Sequence, residues 1–554
     1  MAEDETSRQS PLFASIDLGS NSFHMLVVRQ VHGAIRVVSK VKRKIRLASG
    51  LDASNTLSRE AMERGWDCLR LFSEQLQDIP SENIRIVGTA TLRLATNSST
   101  FVRIAEEILG HKVEVISGLE EAQTIYQGVS WTSSGSGNRL VLDIGGASTE
   151  VILGEGVDVK LMNSMPLGCV TWLNRFFADR LLTESAFDEA VAEAGRIFSG
   201  IAGEYIKIGW GMCVGASGTV QALQEIIIAQ GKSETVTLDK LYELKARAIS
   251  CGSLDSLVID GLEADRLAVF PSGLAILIAL FETFRIRELV MAGGALREGL
   301  VYSMIAASNQ LTGGAFGDAQ LRTVESMISR YQLDPEQGRR VEAVCMKIYE
   351  QLRAYWQLDD QYGRMILSRA AVLYELGLCI EYKRAPQHAA YIVENIDMPG
   401  FTLAQKLLLS ALLSNQRDEI RLEPLRRQHA VPFEEACHLV RILRFAIIMC
   451  IRRTEGTIPK FTFTVQDGAL KLVLPEGWLA SHYLRGAELE NEVKLQTRFG
   501  WPSEIMELKH YDARMELLPF QNSARIRQAS EKNPDSAARE KGGEQDGGRM
   551  YPDF

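Results

Sequence analysis

Residues 13–28 read FASIDLGSNSFHMLVV, an apolar run that stops at a short polar stretch and then resumes. The pattern predicts a strand, a tight turn and a returning strand. Asp17 stands at the mouth of the turn, and Gly19 allows the backbone to fold tightly. The rest of the turn consists of small polar residues, Ser20, Asn21 and Ser22. The converging N–H groups of such a turn can cradle phosphate oxygens, and a nearby carboxylate can hold Mg²⁺ directly or through water.

The same pattern returns 126 positions later. Residues 140–153 read LVLDIGGASTEVIL, so Asp143 matches Asp17 and Gly145 matches Gly19. The other residues of this turn are Gly146, Ser148 and Thr149. One such turn alone is equally well explained as an ordinary β-hairpin. Two matched turns, separated by the length of a domain, indicate a duplicated domain whose two phosphate turns face each other across a cleft.

The two turns resemble those of the actin and sugar-kinase superfamily of ATP-binding folds. The sequence motifs DLGSNSFH at residues 17–24 and DIGGASTE at residues 143–150 are still more similar to those of the exopolyphosphatase and guanosine pentaphosphate phosphatase family. The segments EAMERGW at 60–66 and APQHAAY at 385–391 are most similar to the guanosine pentaphosphate phosphatase branch of that family. The resemblance extends over about residues 13–510.

The resemblance and the length of 554 residues together predict several domains of the α/β class. We expect two actin-like (ribonuclease H-like) lobes with facing phosphate turns, an all-helical HD-like domain and a small α+β C-terminal domain. The predicted bounds are 12–135, 136–307, 315–455 and 456–521, followed by a disordered tail at 522–554. Relatives of this branch carry His-Glu where the helical domain has Tyr374-Glu375, and only His388 remains. Metal catalysis in that domain is therefore not expected.

Composition restricts the partners. The formal net charge of −9 argues against a surface that coats nucleic acid, so any anion site must be local. The eight cysteines form no CxxC pair and are typical of buried thiols in a reducing compartment. Residues 1–10 contain no apolar signal core, and the apolar run at 270–281 is too short to span a bilayer. We expect a cytoplasmic protein that binds no membrane.

Two carboxylates beyond the turns are candidates for chemistry. Residues 117–123 read SGLEEAQ, a predicted helix start, where acids are favoured by the helix dipole and need no catalytic role. The family carries Ser-Gly-x-Glu-Glu-Ala here, and its second glutamate is the expected general base, which implies that Glu121 activates a water molecule. Glu150 follows the second turn and either orients water or Mg²⁺ or pairs with a nearby base.

Two cationic candidates each have an ordinary alternative. Arg93 follows a predicted strand at 84–89, where it either clamps a phosphate or forms a surface ion pair. The resemblance assigns it to the active site. The cluster KRKIR at 42–46 follows a strand predicted to end at Val41, and it is either a solvated edge or a rim that attracts anions. The resemblance favours the second interpretation for Arg46.

Two glycine-rich turns lead from strands into helices at residues 212–223 and 289–299. Each is either a packing turn or, because helix N–H groups suit anions, part of the cleft. The resemblance implies that Gly215, Ser217, Gly218 and Gly293 line the cleft.

The resemblance implies a phosphohydrolase that removes the terminal 5′-phosphate of guanosine pentaphosphate. It places Mg²⁺ at Asp143 and phosphates between the Asp17 and Asp143 turns, and it implies a homodimer. Release of terminal phosphate from inorganic polyphosphate is the close alternative, since the bond that breaks is the same. A non-catalytic sensor of the guanosine alarmone is an alternative of another class.

Overall fold

The computed structural model describes residues 11–31, 34–135, 137–230, 234–307, 318–358, 362–454 and 456–509. The predicted tail at 522–554 and the end of the predicted small domain lie outside this range. Within it, contacts divide the chain into two units, one containing 1–338 and 372–436 and the other containing 339–371 and the chain from 437 onward. The predicted helical domain at 315–455 contributes residues to both units.

Lobe I is a five-stranded sheet with helices. Its sheet order is β3-β2-β1-β4-β5, with β1 antiparallel to β2 and parallel to β4. Its elements are β1 (Leu12–Leu18), β2 (Ser22–Val31), β3 (Ala34–Lys44), α1 (Arg59–Leu76), β4 (Ile84–Gly88), α2 (Ala90–Leu94), α3 (Ser98–Leu109), β5 (Glu114–Val115) and α4 (Gly118–Thr132).

Lobe II repeats this plan. Its sheet order is β10-β9-β6-β7-β8, which is the order of lobe I with each strand replaced by its counterpart. Its elements are β6 (Asn138–Ile144), β7 (Thr149–Glu155), β8 (Asp158–Met165), α5 (Cys169–Phe176), α6 (Glu184–Ile208), β9 (Met212–Gly215), α7 (Gly218–Ala229), α8 (Leu238–Cys251), α9 (Phe270–Phe284), β10 (Val290–Met291) and α10 (Leu296–Ala307). The predicted α/β class with duplicated actin-like lobes is confirmed.

Strand β3 is longer than the sequence predicted. It continues to Lys44 because β2 begins at Ser22 and offers backbone partners for the whole stretch, down to the Ser22–Lys44 pair. The prediction that the strand ends at Val41 is wrong. Alternate residues of a strand point to the same face, so Lys40, Lys42 and Lys44 form one row.

Helix α9 is the core helix of lobe II. With the preceding turn it forms an apolar stretch, Leu267–Phe284, whose 18 residues and mean hydropathy of 2.0 would suffice for a membrane span. The length argument made from the sequence therefore fails. However, 78% of the stretch is buried inside the protein, where it packs against α6 and the sheet. A buried core helix passes the same compositional test.

The last helix of each lobe packs on the sheet of the other lobe. Helix α4 places Ile125, Tyr126 and Val129 against Val141 of β6 and Ile152 of β7. Helix α10 places Val301, Met304 and Ile305 against Phe13 of β1 and against Leu26 and Val28 of β2. Each sheet is thus covered on one face by a helix that the chain supplies from the other lobe.

The two exchanged helices touch backbone to backbone. A Cβ atom at Gly128 of α4 would lie 2.0 Å from the carbonyl oxygen of Ala295. A Cβ atom at Gly299 of α10 would lie 1.9 Å from the carbonyl oxygen of Thr124. Since carbonyl oxygens of a helix cannot move aside without disturbing its hydrogen bonds, only glycine fits at both positions.

The remaining chain is mostly helical. Residues 318–338 and 372–436 belong to the first unit, and the hairpin β11–β12 of the second unit turns at Asp467-Gly468, as predicted, with both residues at positive φ. The elements are α11 (Ala319–Arg330), α12 (Pro335–Trp356), α13 (Tyr362–Leu373), α14 (Ala385–Asn395), α15 (Leu403–Ser414), α16 (Leu422–Arg427), α17 (Phe433–Met449), β11 (Thr462–Gln466), β12 (Ala469–Pro475), α18 (Trp478–Ser481), α19 (Tyr483–Arg498) and β13 (Ser503–Leu508).

We predict that Gly128→Ala lowers the free energy of unfolding by about 2 kcal/mol or more, because the added methyl group forces α4 away from α10. The matched control is Gly200→Ala in α6, where a Cβ atom meets nothing within 4 Å. This change should raise stability by about 0.5–1 kcal/mol through helix propensity. Chemical denaturation of the three proteins measures both effects. Equal stability of the Gly128→Ala variant and the parent would contradict the tight crossing.

Candidate active site

A cleft of about 530 Å³ lies between the two phosphate turns. The turns meet at Gly146, where a Cβ atom would lie 2.7 Å from the Cβ of Ser20. Most of the site residues predicted from the sequence line this cleft: Asp17, Gly19, Ser20, Asn21, Ser22, Glu121, Asp143, Gly145, Gly146, Ser148, Glu150, Ser217, Gly218 and Gly293. The predicted arrangement of facing turns is therefore present in the structure.

Strand register places the site side chains in two rows. In lobe I, Asp17 pairs with His24, which pairs with Lys42, so the three stand side by side across β1, β2 and β3. In lobe II, the equivalent row across β6, β7 and β8 is Asp143, Glu150 and Ser164. Each row continues the sheet face that carries the exchanged helix, since residues of equal parity share a face.

The rows differ in chemistry. In lobe I, Nδ1 of His24 lies 3.4 Å from Oδ2 of Asp17, and burial lowers the pKa of His24, which favours the neutral ring. In lobe II, Ser164 donates to Oε1 of Glu150 at 2.8 Å. Within the described residues, Oδ1 of Asp17 is buried without a hydrogen-bond partner. A buried acceptor left open at the cleft is a binding position for a donor or a cation.

The two acids in the first turn of α4, Glu120 and Glu121, have different surroundings. Glu120 forms a capping box with Ser117, in which its carboxylate accepts from the Ser117 N–H at 2.7 Å. Glu121 is instead 8% exposed and lines the cleft. The helix-dipole explanation thus accounts for Glu120, and Glu121 remains available for chemistry.

Arg93 holds Glu121. Its Nη1 donates to Oε2 of Glu121 at 2.6 Å and to the carbonyl oxygen of Ile116 at 3.0 Å. Burial raises the pKa of Glu121 to about 7, and the charge and hydrogen bond of Arg93 oppose that rise. A carboxylate with a pKa near neutrality is suited to accept a proton at physiological pH.

Four of the acids that line the cleft act on one another: Asp17, Glu121, Asp143 and Glu150. Burial, together with the charges of Glu121 and Asp17, raises the pKa of Asp143 to about 7. Burial also raises the pKa of Glu150 well above its usual range, with Glu121 and Asp143 adding to the effect. The cleft therefore favours a bound cation or proton that reduces this concentration of negative charge.

Four predicted site residues are not among those that line the cleft. One of them is Arg93, predicted to clamp a phosphate, which forms an ion pair with Glu121 instead. Thr149 is fully buried and donates to the carbonyl oxygen of Leu167 at 2.7 Å, because it has the opposite parity to Ser148 and Glu150. Gly215 packs beneath Val220, where a Cβ atom would lie 2.4 Å from a methyl carbon. Neither residue lines the cleft, which corrects the sequence interpretation.

Arg46 also lies outside the cleft. The chain turns at this residue into the left-handed region (φ 54°, ψ 48°), which takes its side chain out of the row formed by Lys40, Lys42 and Lys44. It lines a separate pocket. Lys40 and Lys42 line the cleft in its place.

Sequence reasoning missed several residues that line the cleft. They include His24, Lys40, Gln221, Gln224, Glu225, Arg266, Arg297 and Glu298. Lys42 also lines the cleft and belongs to the basic cluster that was considered as an anion-attracting rim. His24 could have been found, because the spacing that matches Asp17 to Asp143 also matches His24 to Glu150. Arg266 comes from a distant part of the chain and carries no local signal, whereas Arg297 lies in the glycine-rich turn at 289–299 and could have been found.

In the helical region, the residues at the positions expected for an HD-type metal site have separate partners. Tyr374 accepts from Gln337 at 3.0 Å and donates to Glu375 at 3.2 Å. His388 lies 3.4 Å from Glu381. Over the described ranges, no three His, Cys, Asp or Glu side chains cluster as a metal site.

The fold and cleft define a two-lobed actin-like phosphatase. The profile of the Ppx/GppA phosphatase family matches residues 26–308, and that of Ppx/GppA phosphatase domain III matches residues 320–493. The chain belongs to the Ppx/GppA phosphatase family.

Two relatives from Aeromonas agree with this assignment. The chain is 61% identical over 498 residues to guanosine-5′-triphosphate,3′-diphosphate pyrophosphatase of Aeromonas hydrophila, covering 90% of this chain and 99% of the relative. It is 60% identical over the same length to the protein of that name from Aeromonas salmonicida, with the same coverage. The crystal structure of an exopolyphosphatase from Cytophaga hutchinsonii superposes with a TM-score of 0.49 at 21% identity, covering 53% of this chain and 98% of that one.

We predict that Arg93→Gln moves the acid limb of the pH–rate profile to higher pH by about 1 unit. The reason is that loss of the guanidinium removes the charge that opposes the raised pKa of Glu121, so this carboxylate ionises only at higher pH. Arg85→Gln, which removes an ion pair with Glu114 at the edge of the same sheet, is the control. If the acid limb is unchanged in the Arg93→Gln variant, Arg93 does not control the ionisation of Glu121.

Proposed function

We propose that this protein hydrolyses the terminal 5′-phosphate of guanosine 5′-triphosphate 3′-diphosphate, giving guanosine 5′-diphosphate 3′-diphosphate and inorganic phosphate. The observation that carries the proposal is the buried Glu121, held by Arg93 beside two facing phosphate turns. The names of the Aeromonas relatives support this choice of substrate.

The chain's own groups support an in-line displacement. The γ-phosphate rests between the turns at Gly19–Ser22 and Gly145–Ser148, where it would take N–H donors other than that of Gly145, which already donates to the carbonyl oxygen of Ser148 at 2.9 Å. A water oxygen attacks the γ-phosphorus while Glu121 accepts the proton of that water. The bond from the γ-phosphorus to the bridging oxygen breaks, and the β-phosphate leaves with the electron pair. Lys42 and Arg297 line the same cleft and offset the charge of the phosphates.

The residues at the cleft fit Mg²⁺. The unpartnered Oδ1 of Asp17 and the crowded carboxyl of Asp143 are oxygen donors on opposite turns. Mg²⁺ is commonly held by one or two carboxylates together with substrate phosphates, so it needs no cluster of three protein ligands. Bound there, it would neutralise phosphate charge, with Asp143 as its main protein contact.

Two further aspects belong to the same proposal. The protein acts in the cytoplasm as a homodimer, in line with the family resemblance, and its net charge of −9 argues against a nucleic-acid partner. Inorganic polyphosphate is the second candidate substrate, because the bond attacked is also a terminal phosphoanhydride.

We predict that Glu121→Gln lowers kcat for guanosine pentaphosphate by about 10²–10⁴-fold, because an amide cannot accept the proton of water. Glu120→Gln is the matched control, since glutamine also completes a capping box. It should retain activity within about twofold and an unchanged fold. Phosphate release in the presence of Mg²⁺, with guanosine pentaphosphate and long-chain polyphosphate compared, measures both.

The outcomes of this experiment differ clearly. Preference of the parent protein for guanosine pentaphosphate, lost in the Glu121→Gln variant, supports the proposal. Preference for polyphosphate retains the mechanism and changes the substrate. No phosphate release from either compound, with guanosine pentaphosphate still bound, would identify a sensor. Full activity of Glu121→Gln would remove Glu121 from the mechanism.

We predict that Asp143→Asn abolishes stabilisation by Mg²⁺. Mg²⁺ should raise the Tm of the parent protein but not of the variant, since a ligand that binds only the folded state stabilises it. Without Mg²⁺ the variant should melt about 1–3 °C above the parent, because one of four crowded carboxylates has lost its charge. Asp158→Asn, at an exposed position of β8, is the control and should respond like the parent. A normal Mg²⁺ shift in Asp143→Asn would exclude Asp143 as the contact.

A further inference from the structure

A second pocket lies next to the cleft and has no role in the chemistry described above. It is lined by Lys44, Ile45, Arg46, Ser49 and Arg64, three of which are cations and none of which is an acid. The guanidinium of Arg46 forms no ion pair or hydrogen bond with the described residues. Two acids lie near these cations: Glu60, which lies 3.2 Å from Nη1 of Arg64 and is largely exposed, and Asp265, whose charge acts on Lys44.

The pocket lies directly behind the first phosphate turn. The N–H groups of Ile45 and Arg46 donate to the carbonyl oxygen of Asn21 at 3.0 and 2.8 Å. The N–H of Ala48 donates to the carbonyl oxygen of Ser20 at 2.9 Å. The turn therefore borders the cleft and is also hydrogen-bonded to the segment that forms the pocket.

Arg46 is held in a costly backbone conformation. A left-handed conformation is unfavourable for a non-glycine residue and persists where surrounding hydrogen bonds fix it. Here the bond to Asn21 and those that the Arg46 carbonyl oxygen accepts from Ser49, from its N–H at 3.2 Å and its hydroxyl at 2.8 Å, do so. Such strain is commonly found at binding sites.

A row of lysines connects the pocket to the cleft. Lys40, Lys42 and Lys44 share one face of β3, with about 7 Å between successive members. The first two line the cleft and the third lines the pocket. Asp265 is the acid along this row, lying 3.5 Å from Lys42 and accepting a hydrogen bond from Lys44 through its carbonyl oxygen.

The charge of this region is not balanced internally. Burial lowers the pKa of Lys44, and the charge of Arg46 lowers it further. Three cations line the pocket, and the guanidinium of Arg46 has no partner among the described residues, so a bound anion would complete the site. Guanidinium groups such as those of Arg46 and Arg64 are suited to bind phosphate oxygens in pairs.

The proposed substrate has two phosphate arms, one on the 5′ and one on the 3′ oxygen of the ribose, and the cleft between the turns accounts for the first. We propose that the pocket at Lys44, Arg46 and Arg64 binds the 3′-diphosphate arm and so selects substrates that carry it. This inference rests on the proposed function. The interior of a polyphosphate chain offers the same pyrophosphate chemistry and is the other source of a ligand.

The test compares guanosine pentaphosphate with GTP, which carries the same 5′-triphosphate and no 3′ arm. Arg46→Gln should lower kcat/KM for guanosine pentaphosphate about 10-fold or more, since a charged hydrogen bond is lost, and leave that for GTP within about twofold. Arg46→Lys should recover part of the loss because it keeps the charge. Arg59→Gln, an exposed residue of the neighbouring helix α1 paired with Glu63, is the control and should change neither value.

The outcomes separate the two proposals. An equal loss for both nucleotides, or no loss for either, overturns the 3′-arm assignment and leaves the hydrolase function intact. A loss only for long-chain polyphosphate overturns it in favour of a polyphosphate pocket. If the parent protein hydrolyses none of the compounds, the proposed function fails. Binding affinity then tests the 3′-arm assignment. In the Glu121→Gln background, Arg46→Gln must weaken the binding of guanosine pentaphosphate about 10-fold more than that of GTP.

Discussion

The close crossing of α4 and α10 is the constraint on which the rest of this structure depends. Glycines at 128 and 299 let the two helices approach until a Cβ atom would overlap a carbonyl oxygen. Helix α4 begins at Gly118, so its position on the second sheet also places Glu121 beside Asp143 and Glu150. The proposed general base is thereby positioned by helix packing about two turns away from it.

The duplicated lobes use equivalent positions for different chemistry. Asp17 and Asp143 occupy the same place in their strands, but the next positions are His24 and Lys42 in one lobe and Glu150 and Ser164 in the other. One wall of the cleft is therefore mixed in charge and the other is acidic. A polyanion can be held against the first wall, whereas the second wall favours protons and cations. The two lobes share a fold, but this difference in charge lets the substrate phosphates lie against one wall and the cations and protons against the other.

The sequence predicted the fold and most of the cleft because the decisive signals are local. The two Asp-x-Gly turns, their spacing and the alternation of apolar residues are readable in one stretch each, and they place 14 predicted residues at the cleft. The errors arise where position depends on pairing or long-range packing. Thr149 was misassigned through strand parity, and β3 was ended too early because the length of its partner β2 was not known. Arg46 was predicted for an anion-attracting rim beside the first turn and instead lines a separate pocket, because a left-handed turn has no clear signal in a basic run. Arg266 comes from a segment that is remote in sequence.

The exchange of helices also determines how the protein comes apart. Each sheet has one face covered by a helix from the other lobe. Unfolding of either lobe therefore exposes apolar surface on the other lobe. The stability of the duplicated halves is consequently shared, and local opening confined to one of them is disfavoured. A chain cut near residue 135 would retain α4 but lose the sheet on which α4 rests. The two duplicated lobes have similar folds, but each needs the other for its stability, so we expect them to unfold together as one cooperative unit.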